Sequence, residues 1–174
     1  LPFIDFLYYA DDNNHPYGSK NKEELYKIVS KNIEFLIQHD CEIIVLACNT
    51  ATVSCLEKLR KDYPDTVFVG TVPAIKVAID NAYKTILVLG TPATILIEQT
   101  EKQFDSLKKE NQTIIFKACP FLATAIENND ITRQKEILKL LKEETKNLKV
   151  EALVLGCTHY SLIKDRIKTF FPDT

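Results

Sequence analysis

Apolar positions along this chain follow two alternating rhythms. Short runs rich in β-branched residues, at 43–47, 66–69, 85–89, 113–116 and 151–155, predict strands buried on both faces. Between them lie longer segments with apolar residues three and four apart. The clearest carries Leu25, Ile28, Val29, Ile33, Leu36 and Ile37 on one face and predicts an amphipathic helix. Further helices are expected from about Thr50 to Tyr63, ending before Pro64, and near Ala74–Ala82. Others are expected from Thr91–Thr94 to about Glu110, briefly after Cys119-Pro120, from Ile131 through Leu148, and from Cys157 towards Phe170. A further strand is expected at Phe6-Leu7-Tyr8-Tyr9, leading into the polar loop DDNNHPYGS.

Alternating β and α units of this kind predict parallel sheets with helices on both faces. The units ending in Cys48 (IIVLACNTAT) and in Cys157 (LVLGCTHYSL) resemble each other. The fold class expected is therefore α/β, with two pseudo-symmetric lobes of parallel sheet flanked by helices. The loop proline in Thr71-Val72-Pro73 sets the expected boundary, giving a first lobe at 1–71 that carries Cys48 and a second at 72–174 that carries Cys157.

Composition narrows the class without changing it. Of 174 residues, 45% are hydrophobic and 26% charged, as in an ordinary globular protein. A formal net charge of −2 gives no reason to expect nucleic acid or an acidic membrane as partner. No apolar run reaches the roughly 20 residues of a membrane span, and no signal-peptide pattern opens the chain, so a cytoplasmic location is expected. Five cysteines without dense spacing and without a C-x-x-C suit a reducing compartment and give no metal-site signature, so no metal is expected. The chain opens at Leu1 and contains no Met, which reads as part of a longer translation product.

Both thiols should stand at the carboxyl ends of strands, where open α/β sheets place their ligands. A helix starting there turns its N–H groups and positive dipole end towards the site, which favours thiolate and bound carboxylate. Asn49 and Thr50 add donors beside Cys48, and His159, two residues beyond Cys157, is placed to share its proton. Taken singly, each motif also reads as a packed cysteine beside a helix cap. Pro16-Tyr17-Gly18 is good turn chemistry that can also present N–H groups to a ligand, and Gly90-Thr91 with Thr94 forms a small helix-entry site. Glu127 is a candidate carboxylate, although isolated helix glutamates are usually solvated. Cys41, Cys55 and Cys119 read as packing residues. Two equivalent thiols suit proton abstraction on one face of a carbon and delivery on the other. No dinucleotide fingerprint and no pyridoxal-phosphate lysine site compete, so no cofactor is expected.

At these residues the chain resembles glutamate racemase of the aspartate/glutamate racemase superfamily. The likeness runs in order through FLYYADDNNHPYG, IIVLACNTAT, GTVPAIKVA, LGTPATI, ACPFLATAIE and LVLGCTHYSL. The resemblance implies cofactor-independent interconversion of L- and D-glutamate for peptidoglycan, in a cleft between two lobes. It implies Cys48 and Cys157 as catalytic thiols, with His159 assisting Cys157. Pro16, Tyr17, Gly18, Asn49, Thr50, Thr94 and Thr158 would line the substrate site, with Glu127 and Asp11 as further candidates. It also implies a homodimer, and an Asp-Ser-Gly strand near the N-terminus that these residues do not include. Two other readings stand beside it: a racemase for aspartate or another acidic amino acid, and a catalytically silent amino-acid-binding protein.

Overall fold

A computed structural model of the chain describes residues 4–97 and 106–174. Helix α1 (Lys22–Gln38) opens on Asn21, whose side chain accepts a hydrogen bond from the Glu24 N–H at 2.9 Å and so caps the first turn. Its buried stripe of Leu25, Val29 and Ile33 is the one expected from the spacing. Strand β1 (Ile43–Leu46) then leads directly into α2 (Asn49–Asp62), and β2 (Val67–Gly70) returns parallel to β1, with Ile43 opposite Val67 and Leu46 opposite Gly70. Ile44, Leu46 and Phe68 point to one face and pack against Leu25, Val29, Ile33, Cys55 and Leu59 of the two helices.

The second layer is a three-stranded parallel sheet with β3 (Thr85–Gly90) between β4 (Thr113–Ala118) and β5 (Ala152–Leu155). Helix α3 (Ile75–Asp80) covers one face through Ile75, Ala78 and Ile79 on Ile86, Val88 and Val154. Helices α5 (Leu122–Glu127), α6 (Ile131–Thr145) and α7 (Lys164–Phe170) cover the other, meeting Leu87 and Leu89 through Leu122, Leu138, Leu141 and Ile167. The central strand is accordingly buried from Ile86 to Leu89. A short helix α4 (Pro92–Ile95) follows β3, capped by Thr91, whose hydroxyl accepts the Thr94 N–H at 3.2 Å. Helix α4 packs against α2, which joins the two layers near the carboxyl ends of their strands.

Three expectations change. Residues 6–9 form no strand: Phe6 is 80% and Tyr8 86% exposed, and Tyr9 instead sets its ring 5.0 Å from that of Phe35 on α1. High β propensity yields a strand only where another strand pairs with it, and no described strand does so. Helix α4 stops at Ile95 rather than running to Glu110. Residues 98–105 lie outside the described residues, and 106–112 form turns. There the Gln112 side chain accepts the Lys109 N–H at 2.9 Å and donates to the Ile79 and Tyr83 carbonyls at 3.1 and 2.9 Å, diverting the backbone from a helix. Finally, among the described residues helices cover one face of the β1–β2 layer, and Ile43, Val45, Val67 and Val69 are exposed on the other.

The β3–β5 seam depends on Gly156. Its N–H donates to the Leu89 carbonyl at 2.6 Å, and an added Cβ would sit 2.6 Å from that same backbone oxygen. Because backbone cannot swing aside, Gly156→Ala is expected to destabilise the protein by about 1–3 kcal/mol in urea unfolding. An unchanged midpoint would contradict this packing.

Candidate active site

The two motif cysteines occupy equivalent backbone positions. Cys48 is the residue before α2, with φ −129° and ψ 122°. Cys157 precedes the 3₁₀ turn Thr158–Ile163, with φ −136° and ψ 134°. Each follows a parallel strand and begins a helical turn, and each is in an extended conformation. The sulfurs lie within electrostatic reach of one another. Burial pushes the Cys157 thiol up to about 11, and the nearby Cys48 adds to the rise, against N–H groups of His159 and Tyr160 that favour the thiolate. Cys157 is buried and Cys48 only partly so.

Behind Cys157 stands a relay. His159 Nδ1 lies 3.8 Å from Cys157 Sγ, while its Nε2 contacts Glu127 Oε1 at the end of α5. Glu127 is therefore a partnered carboxylate here, although helix glutamates are usually solvated. Tyr160 is buried beside Cys157 and donates its hydroxyl to the Cys119 carbonyl at 3.3 Å. Burial holds the Cys119 thiol up at about 12, in keeping with a packing role. Cys55 sits fully buried in the first core, likewise pushed up to about 12.

The Pro-Tyr-Gly loop is tied to the Cys48 side. Tyr17 donates to Asp11 at 2.6 Å, and the Asn32 amide donates to Asp11 at 3.0 Å and to the Tyr17 oxygen at 3.1 Å. Burial raises the Asp11 carboxyl, but hydrogen bonds from Tyr17, Asn32 and Asn14 outweigh it and leave Asp11 below its ordinary range. Burial, joined by the Asp11 hydrogen bond, pushes Tyr17 upwards, so it stays a neutral donor. Gly18 packs so closely on Thr91 that an added Cβ would meet the threonine Cβ at 2.5 Å. Pro16 accepts the Ser19 hydroxyl at 3.4 Å through its carbonyl.

Three buried hydroxyls close the floor. Thr50 lies 3.0 Å from Thr91 and 3.1 Å from Thr94, and Thr91 lies 3.0 Å from Thr94. Asn49 is buried at the start of α2, whereas Thr158 is exposed at the start of its 3₁₀ turn. The arrangement thus gathers the thiols, the imidazole and the carboxylate-sized donors at the carboxyl ends of both sheets. Asn32 and His15 escaped the sequence reading. Asn32 looked like one polar position on a helix surface, and His15 like a loop residue, although its place directly before Pro16 was a usable signal. A cavity of about 680 Å³ lies at the other end of the second sheet, against Tyr83, Val150 and Glu151, away from all of these groups.

Fold and site together define an α/β protein with paired thiols at equivalent strand ends. The Asp/Glu/Hydantoin racemase family model matches residues 8–172, and the chain belongs to that family. Among curated relatives, glutamate racemase of Clostridium novyi is 35% identical over 174 residues, covering 96% of this chain and 65% of the relative. That of Sulfurovum sp. is 38% identical over 170 residues, covering 94% and 64%. The chain thus spans about two thirds of the length of the relatives it matches. Among solved structures, a glutamate racemase isoform from Bacillus anthracis aligns with a TM-score of 0.78 at 31% identity, over 92% of this chain and 61% of that one. The Aquifex pyrophilus glutamate racemase aligns at 0.77 and 32%, over 98% and 68%.

The raised Cys157 thiol leads to a pH prediction. A raised pKa favours the protonated form, so alkylation of Cys157 by iodoacetamide should be slow at neutral pH and rise with a midpoint near 11, followed residue by residue by mass spectrometry. A midpoint near the free-thiol value of roughly 8.5 would contradict its burial.

Proposed function

We propose that the complete protein interconverts L- and D-glutamate by a two-thiol, two-base reaction without a cofactor. The observation that carries the reading is the pair of matched strand-end cysteines within electrostatic reach of one another. One thiolate removes the α-proton from one face, and the other cysteine, as thiol, returns a proton to the opposite face. In the ligand-free protein Cys157 favours its protonated form, which makes it the acid and Cys48 the base in one direction. In the reverse direction His159, held by Glu127, takes the proton of Cys157.

In this reading Asn49 and Thr158 meet the substrate carboxylates above the floor formed by Thr50 and Thr94, with Pro16, Tyr17 and Gly18 presented by the loop that Asp11 fastens. Donors fixed before the reaction stabilise charge as the carbanion develops. The division into lobes at 1–71 and 72–174 is supported by the separate cores on either side of it. The relatives' printed names support glutamate as substrate, and the Escherichia coli glutamate racemase structure, similar at 26% identity and a TM-score of 0.70, is described as a complex with L-glutamate. Supply of D-glutamate to peptidoglycan, a cytoplasmic location and homodimer assembly belong to the same reading and rest on the family resemblance. The five free cysteines suit a reducing compartment, and no described helix is long and apolar enough to cross a membrane.

The test is incubation of the full-length protein with L-glutamate and, separately, L-aspartate, with the D-isomer measured by chiral chromatography. D-glutamate should form without added cofactor; D-aspartate alone would move the assignment to an aspartate racemase. Binding without turnover of either would favour a silent binding protein. Cys48→Ala and Cys157→Ala should each lower the rate by at least about 100-fold, the scale of a lost acid–base group. An active single variant would contradict the pairing.

A further inference from the structure

His15 stands outside the proposed reaction, yet it is not isolated. Its loop carries it from the first layer to the second, where its ring lies 4.8 Å from that of His159 and its Nδ1 lies 3.9 Å from Glu127 Oε1. His159 Nε2 contacts the same carboxylate oxygen. One ligand atom from each of His15, Glu127 and His159 falls within 4.8 Å of the other two. Two imidazoles and a carboxylate with an open side form a donor set that divalent ions of the zinc class take readily, with water completing the coordination. Tetrahedral zinc at its usual bond lengths needs ligand atoms roughly 3.4 Å apart. His15 and Glu127 are exposed, so side-chain rotation alone can supply the adjustment of up to about 1.4 Å.

We infer that His15, Glu127 and His159 form a binding site for a divalent transition-metal ion, zinc above all, which closes the mouth of the cysteine site and silences it reversibly. The ion would pin the Pro-Tyr-Gly loop to the helical turn after Cys157. It would also take His159 Nε2, leaving the ring proton on Nδ1, the atom that faces Cys157. An imidazole in that tautomer cannot accept the thiol's proton. Sequence spacing conceals the site because its ligands come from positions 15, 127 and 159, on three separate elements.

The silencing rests on the proposed racemase reaction, whereas metal binding does not, so the two are measured apart. Zinc affinity of the full-length protein is read by competition with a chromophoric chelator, and coordination by the visible spectrum of the cobalt(II) form. One ion per chain is expected, without a thiolate-to-metal charge-transfer band, and binding should survive in the Cys48→Ser/Cys157→Ser variant. His15→Ala, in an exposed loop and checked for folding by circular dichroism, should weaken binding by more than about 100-fold, beyond what loss of a ligand's supporting contact costs. Zinc should inhibit racemisation of the unsubstituted protein, a chelator should restore it, and His15→Ala should escape inhibition. Absence of binding, binding unaltered by His15→Ala, or a charge-transfer band placing the ion on the cysteines would overturn the inference.

Discussion

Three threonine hydroxyls, buried and mutually within 3.1 Å, hold this structure's two layers in register. Thr50 belongs to the helix that begins immediately after Cys48. Thr91 and Thr94 follow the central strand of the other sheet, whose neighbour β5 ends just before Cys157. The distance between the cysteines is therefore set through a short rigid path: helix start, hydroxyl cluster, strand, strand end. Each hydroxyl can donate one bond and accept two, so three of them satisfy one another without water. Stranding any one in this buried place would cost about 1–3 kcal/mol, and that penalty penalises relative sliding of the layers. Gly18 closing on Thr91 adds the loop to the same junction.

Matched backbones do not make matched thiols. Cys48 and Cys157 share an extended conformation before a helical turn, but their surroundings differ. Cys157 is buried beside Tyr160 and leans on an imidazole–carboxylate pair; Cys48 is less enclosed and neighbours the Asp11–Tyr17–Asn32 network. A reaction that exchanges acid and base roles needs this inequality to be small enough to reverse. Bound substrate, with its own charges and its exclusion of water, is what would level it under the proposed chemistry. The zinc-class site inferred at His15 would act on the same balance from the Cys157 side.

Much of this was legible in the residues. The strands at 43–46, 85–90 and 152–155 appear where uniformly apolar, β-branched runs placed them; burial on both faces accounts for that pattern in β3, whereas β1 carries it with one face exposed. The placement of both cysteines at strand ends followed from that pattern. Features that rest on contacts distant in sequence were not legible. Phe6–Tyr9 has the composition of a strand, but pairing depends on a neighbour that composition does not reveal. The end of α4 at Ile95 lacks a breaker residue in the sequence, and the turn at 106–112 depends on Gln112 reaching carbonyls of Ile79 and Tyr83. Asn32 and His15 gain their significance only from partners 15 to 144 positions away, Tyr17 for one and His159 for the other.

Whether two thiols work from opposite faces of one carbon is read from the distribution of isotope. The full-length protein is given unlabelled L-glutamate in D₂O, and both enantiomers are analysed by mass spectrometry before appreciable reversal. D-glutamate is expected to carry deuterium at Cα from the first turnovers while the remaining L-glutamate stays unlabelled, because the donor thiol has equilibrated with solvent and the acceptor is a different residue. Product retaining the original proton, or label entering L-glutamate as fast as product forms, would mean a single shared base and would contradict the two-thiol reaction.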